Sequence, residues 1–443
     1  RFSIAFLLNI GLGVYINASY MYYRIFAMPL DFSLLLFGGN VLDIGDSIGN
    51  LFKVSDLMLY LLDVLIVALL FWPACKNRLA KTDKFLIEIS AKKLVTLLLV
   101  LMVAWWFNIC PIGNWSEPFE RRGFMAMVSY GPIGHLTSEL TRGIYRTFIP
   151  LKMDPETEMQ IKSELLNLAD SDEKIMIPFR DNSEVNTPDI IFIQVEALMS
   201  TFLHARFKGV EVMPVLSDIA SRSVYLRNFY SHAISSADSD FSMLTSLLPL
   251  RLEIAHLRYA SNRFASLPHE LKSAGYYSIY GVGVPKNFWN SYRFNVNIGF
   301  DKFLAKEDLG EGKKIGPWLG DEALLEKMIE RIVQSPQPLF CMIFLSSTHH
   351  PFTLAGLPET IPKDGLTGAD LELANYANAI NYTDQAIGNF IKRLEQLNRL
   401  NNSILVIYGD HPVMLSSQKE FLENRYGSLP HSEVLMRFVN SNI

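Results

Sequence analysis

Cysteine is scarce in this 443-residue chain: three residues, Cys75, Cys110 and Cys341. None lies in a CxxC pair or a Cys/His spacing, so neither a disulfide framework nor a structural zinc site is expected. Charge is also thin. Asp, Glu, Lys and Arg make up 19% of residues and the net formal charge is −5. Beyond residue 112 no basic stripe is present, so nucleic-acid binding has no support. Internal repeats and low-complexity tracts are absent. The first apolar run lacks a small-residue cleavage site after it, which argues against a signal peptide.

What the chain does have is apolar length. Mean hydropathy is +0.17, and the excess sits in the first quarter. Ile4 to Tyr23, Leu57 to Ala74 and Leu94 to Ile112 are each about long enough to span a bilayer, with Asp63 as the one formal charge inside them. The loop between the second and third runs carries Lys76, Arg78, Lys81, Lys84, Lys92 and Lys93 against Asp83 and Glu88. The loop before it carries Asp31, Asp43, Asp46 and Asp56 against Arg24 and Lys53. The positive-inside rule puts the Lys-rich loop in the cytoplasm and everything after Ile112 on the outer face. Residues 1–112 are therefore expected to be a multi-pass α-helical anchor in the cell membrane. The chain opens on Arg1 within an apolar run and stops at Ile443 in a strand-like run, Val434 to Val439, so truncation is expected at both ends.

Residues 113–187 read as a connecting segment, with a polar helix over Met153 to Glu173. From 188 to 443 strands and helices alternate. Strand-like runs fall at Ile190 to Val195, Tyr276 to Tyr280, Leu339 to Leu345 and Ile404 to Tyr408. Helical patterns open at Pro214, fill Ser266 to Ala274 and Asp321 to Val333, and lie within Asp370 to Leu400. This alternation predicts an α/β domain with a mostly parallel central sheet covered by helices.

Three strand-end motifs carry the chemistry. Asp189-Ile190-Ile191-Phe192-Ile193-Gln194-Val195 runs into Glu196, and Ile404-Leu405-Val406-Ile407 into Tyr408-Gly409-Asp410-His411. Carboxylates and an imidazole at the ends of parallel strands sit where open α/β sheets bind ligands. Between them, Ser235-Ser236-Ala237-Asp238-Ser239-Asp240 opens the apolar stretch Phe241 to Leu250. A hydroxyl at a helix start gains from backbone N–H donors and the positive end of the dipole. Glu196, Ser236, Asp410 and His411 make a four-ligand set for one divalent cation, Mn²⁺ first, with Mg²⁺ or Zn²⁺ as alternatives. A helix cap is the competing role for Ser236, one that Ser235, Asp238 or Ser239 could fill instead.

With these motifs in order behind an apolar anchor, the chain resembles the lipoteichoic acid synthase and phosphoglycerol transferase family of the alkaline phosphatase/sulfatase superfamily. Further matching blocks are Tyr22-Tyr23-Arg24-Ile25-Phe26, Asp43-Ile44-Gly45-Asp46-Ser47, Phe288-Trp289-Asn290, Gly299-Phe300-Asp301-Lys302-Phe303 and Thr348-His349-His350-Pro351-Phe352. The resemblance implies a metal carboxylate at Glu196, a nucleophile at Ser236, a metal pair at Asp410 and His411, a substrate histidine at His349 and a head-group aromatic at Trp289. It departs at two places. The family's Lys-Thr-Ser-Asp becomes Ser235-Ser236, leaving the register open by one residue. A family arginine becomes Ser291, with Arg293 as the candidate replacement for phosphate contact.

The implied activity moves glycerol phosphate from phosphatidylglycerol to a glycan or polyglycerol-phosphate acceptor through a covalent serine intermediate, with His349 as proton donor or phosphate partner. Phosphoethanolamine transfer is a rival on the same machinery, and a non-catalytic membrane scaffold is a rival of another class. Sulfate-ester chemistry requires x-Pro-x-Arg after the nucleophile, and Ala237-Asp238-Ser239-Asp240 lacks both residues.

Overall fold

The computed structural model describes residues 187–250, 254–413 and 415, with isolated helical positions between 11 and 19 and between 155 and 163. These isolated positions and residues 187–415 fall in separate units, and the account below concerns the latter. The three apolar runs, the Met153 to Glu173 helix and the Val434 to Val439 strand lie outside the described residues apart from the isolated positions. Among the described residues no helix is long and apolar enough to cross a membrane.

Five strands form one sheet: β1 (Asp189–Val195), β2 (Tyr277–Val282), β3 (Lys302–Leu304), β4 (Leu339–Leu345) and β5 (Ser403–Gly409). Their order is β3-β2-β4-β1-β5, and every pairing is parallel. β4 is buried at all seven positions, as a central strand covered on both faces should be. Among the described residues, the helices of seven residues or more beside the sheet are α1 (Pro214–Arg222), α2 (Ser236–Thr245), α3 (Leu267–Ser273), α4 (Ser291–Asn297), α5 (Asp321–Gln334) and α6 (Gly368–Gln396).

Strand alternation sorts the core into two layers. Ile191, Ile193, Val195, Cys341, Ile343 and Leu345 point to the face covered by α1, α5 and α6, among Leu216, Leu324, Met328, Tyr376 and Ile387. Tyr280, Phe340, Met342, Phe344 and Tyr408 point to the opposite face, against Phe241 and Leu244 of α2 and Phe294 of α4. Phe340 stacks on Phe300 at a centroid distance of 5.4 Å and meets Phe192 edge-on at 5.5 Å. Residues that read as uninterrupted apolar runs thus serve two cores at once.

The register brings the functional ends level. Val195 pairs with Leu345 on one side and Gly409 on the other, so Glu196, Ser346 and Asp410 leave the sheet side by side. Gly409 permits this approach, since a Cβ there would run into the Leu198 carbonyl oxygen. Most boundaries fall within a few residues of the sequence reading, and two of the differences bear on the layout. The second strand starts at Tyr277 and runs to Val282. The Phe241 to Leu250 stretch leaves its helix at Thr245, where Ser246 turns left-handed at φ 59° and Pro249 disfavours helix at the residue before it.

Candidate active site

Glu196 follows β1 directly, and Ala197 after it is left-handed at φ 52°. That turn swings the chain aside, and its ends are tied down. Ala197 N donates to Asp410 Oδ1 at 2.7 Å, and Tyr376 OH donates to the Ala197 carbonyl at 2.7 Å. Strained backbone at a strand end persists where the surroundings over-determine it. Asp410 is fully buried. Its Oδ1 also accepts from the His411 backbone N–H at 2.7 Å, and its carbonyl accepts from Ser231 Oγ at 2.5 Å.

The four strand-end residues meet. Ser236 Oγ donates to Glu196 Oε2 at 2.8 Å. His411 Nε2 lies 3.3 Å from Glu196 Oε1 and 3.6 Å from Asp410 Oδ2. One ligand atom each from Glu196, Asp410 and His411 fall within 4.8 Å of one another. The two serines divide their work: Ser235 is the N-cap of α2, accepting from Asp238 N at 3.3 Å and donating to Asp238 Oδ2 at 2.8 Å. Ser236, first residue of the helix, is left to face Glu196.

The electrostatics are those of a cation hole. Burial alone would lower His411, but the Asp410 and Glu196 carboxylates push its pKa to about 10. Burial raises Asp410, against the pull of His411. Burial also acts to raise Glu196, yet His411, with lesser help from His349 and Ser236, holds it below the usual carboxylate range. Asp410 Oδ2 is buried with no hydrogen-bond donor among the described residues. An orphaned carboxylate oxygen beside a second carboxylate, an imidazole and a hydroxyl fits a divalent cation by donor type and by charge.

His349 lies in the loop after β4, packed edge-on against Trp318 at 5.0 Å. Its Nδ1 donates to the His350 carbonyl at 2.7 Å, which leaves Nε2 as the working nitrogen. Thr348 Oγ1 donates to the Glu196 carbonyl, fastening this loop to the end of β1. Trp289 and Asn290 are consecutive left-handed residues at φ 51° and 56°. Asn290 Nδ2 holds that turn by donating to the His256 carbonyl at 2.8 Å. Arg293, exposed on α4, donates to Ser261 Oγ at 2.6 Å. Neither Trp289 nor Arg293 hydrogen-bonds to the four-residue cluster among the described residues.

Sequence reasoning did not single out Ala197, Ser231, Thr348 or Trp318. Thr348 sits inside a motif already noted and could have been found there. Ala197 and Ser231 act through backbone conformation and one hydroxyl, which leave no pattern.

Residues 188–436 match the sulfatase family model. The chain belongs to the sulfatase family. Residues 1–117 match a second model, the lipoteichoic acid synthase N-terminal domain. Relatives of this sulfatase-family chain include lipoteichoic acid synthase 1 of Bacillus subtilis, 25% identical over 420 residues, covering 89% of this chain and 61% of the relative. Lipoteichoic acid synthase of Staphylococcus aureus is 25% identical over 429 residues, covering 93% and 63%. The chain therefore spans about three fifths of the length of the curated relatives it matches. Among solved structures, the lipoteichoic acid synthase LtaP from Listeria monocytogenes aligns with a TM-score of 0.52 at 24% identity, over 58% of this chain and 64% of that one. That likeness is one of fold: the sulfatase-like α/β domain with a parallel central sheet.

Proposed function

We propose that this protein is a metal-dependent phosphoglycerol transferase. It would move glycerol phosphate from phosphatidylglycerol to a glycan or polyglycerol-phosphate acceptor through a covalent intermediate on Ser236. The observation that carries this reading is the convergence of Ser236 Oγ on Glu196 beside Asp410 and His411. The names of the relatives support the head group.

Glu196, Ser236, Asp410 and His411 would hold one divalent cation, manganese before magnesium or zinc, whose charge lowers the hydroxyl pKa and offsets charge on the phosphate oxygens. The protein's own part is positioning. The start of α2 presents Ser236 with its N–H dipoles behind it, a favourable setting for an anion. In the first displacement Ser236 releases its hydroxyl proton to solvent, the Ser236 Oγ–P bond forms, and the bond from phosphorus to the diacylglycerol oxygen breaks. His349 Nε2 supplies the proton the departing alkoxide takes. In the second, an acceptor hydroxyl attacks phosphorus, gives its proton to His349, and the Ser236 Oγ–P bond breaks. Trp289 would pack on the glycerol and Arg293 would contact phosphate once freed from Ser261. The same proposal places residues 1–112 in the cell membrane, 113–187 as a connector and 188–443 on the outer side, next to the lipid donor.

Incubation with phosphatidylglycerol and Mn²⁺ followed by mass spectrometry tests the reading. The expected result is a glycerophosphoryl group on Ser236, absent from Ser236→Ala. An adduct on Ser235 would move the nucleophile by one residue, and a phosphoethanolamine adduct from phosphatidylethanolamine would change the donor. Purified protein with no adduct and no affinity for divalent metal would make it a scaffold.

A further inference from the structure

The face of the sheet beneath α2 is largely apolar; the polar side chains that reach the helix are one row, Gln194 with Tyr408, and Tyr280 two register positions back. Gln194 of β1, its register partner Tyr408 of β5 and Tyr280 of β2 are all buried. Tyr408 OH donates to Gln194 Oε1 at 2.6 Å. Gln194 Nε2 donates, over a long 3.4 Å, to the carbonyl of Ser236. Four residues along the helix, Asp240 accepts from Tyr280 OH at 2.7 Å. Residues i and i+4 share one helix face, so the row and Tyr280 together hold α2 at two points one turn apart.

Stability does not call for this arrangement. A buried polar network is favourable only when fully satisfied, and well-packed apolar side chains often do as well or better. Here Asp240 Oδ1 has no hydrogen-bond donor among the described residues. What the row does provide is alignment. Ser235 caps α2 through the backbone N–H of Asp238, a bond within the helix that ties it to no strand. Gln194 acts from the side, and it stands two residues before Glu196 on the same strand. One rigid element thus holds both the carbonyl of Ser236 and the carboxylate that its hydroxyl meets.

We propose that Gln194, clamped by Tyr408, is a positioning residue that fixes the first residue of α2 so that the Ser236 hydroxyl stays on Glu196. The proposal rests on Ser236 being the nucleophile. A displacement of about 1 Å at a reacting atom costs on the order of a hundredfold in rate, so a modest side-chain clamp has a large effect.

The test compares Gln194→Met, Tyr408→Phe and the double variant in the full chain. Tyr408→Phe removes one hydroxyl and keeps the shape, and it carries the test if Gln194→Met does not fold. Hydrogen exchange at the first-turn amides of α2 is expected to quicken roughly tenfold or more in each variant, with the rest of the sheet unchanged. Turnover of phosphatidylglycerol should fall about ten- to hundredfold with KM held and Mn²⁺ affinity lowered no further than in Ser236→Ala, and the double variant should fall no further than the singles. Unchanged exchange at α2, or exchange that quickens throughout the domain, overturns the clamp. So does a turnover loss that adds across the two sites. If the unmodified protein turns over no phosphatidylglycerol, the transferase reading fails, and the clamp is still decided by the exchange measurement.

Discussion

Neighbouring serines with near-identical chemistry part company because one falls at the helix cap and the next at the first helical position. Ser235 spends its oxygen on Asp238, while Ser236 turns to Glu196. Ser235→Ala should therefore cost about 1 kcal/mol of stability, read from urea unfolding, and leave metal affinity in place. Ser236→Ala should leave the unfolding midpoint nearly unchanged and abolish both the adduct and turnover. The sequence could not separate the two, because either hydroxyl can cap a helix. Glu196, Asp410 and His411 were legible because each ends an apolar run. Ala197 was not, since a left-handed turn demands no particular side chain beyond a small one.

Elements fix these side chains through a few obligatory contacts. Gly409→Ala would press its methyl into the Leu198 carbonyl, and a backbone shift there moves Asp410 as well. The expected loss is about 1–3 kcal/mol in denaturant unfolding, with weaker Mn²⁺ binding. Helix α6 holds α1 through Asp384, whose carboxylate accepts from Val215 N at 2.9 Å and Leu216 N at 2.8 Å. Burial raises Asp384 to about 6 from an ordinary 3.8. Between those values the folded state binds the proton more tightly than the unfolded chain, so this group's contribution is greatest below pH 4 and declines as pH rises to about 6. Asp384→Asn should remove that part of the slope in stability measured across pH 4 to 6. The long helices and four of the strands were visible as periodic or continuous apolar patterns. β3 was not, because three residues are too few to show a period, although they lie within the Gly299-Phe300-Asp301-Lys302-Phe303 block.

At the scale of the whole domain, a binding ion and folding are linked. A cation that binds only the folded state at a hundred times its Kd raises stability by about 2.7 kcal/mol. Adding Mn²⁺ should raise the melting temperature, a chelator should reverse the shift, and Asp410→Asn or His411→Ala should erase the response. The alternation of strands and helices announced the parallel sheet from the sequence. Its strand order did not follow from any local pattern, since β1 is first in the chain yet lies between β4 and β5, the last two.

That order has a consequence for how the protein is made. Ala197 and Asp410 touch across 213 positions of chain, and the strand that delivers Asp410 is the last of the five to leave the ribosome. Until it docks, Glu196 and Ser236 stand beside a gap, so a growing chain is unable to close its ligand set around a stray ion. The candidate site is completed only after all five strands of the described sheet exist, an ordering written into topology rather than into any single side chain.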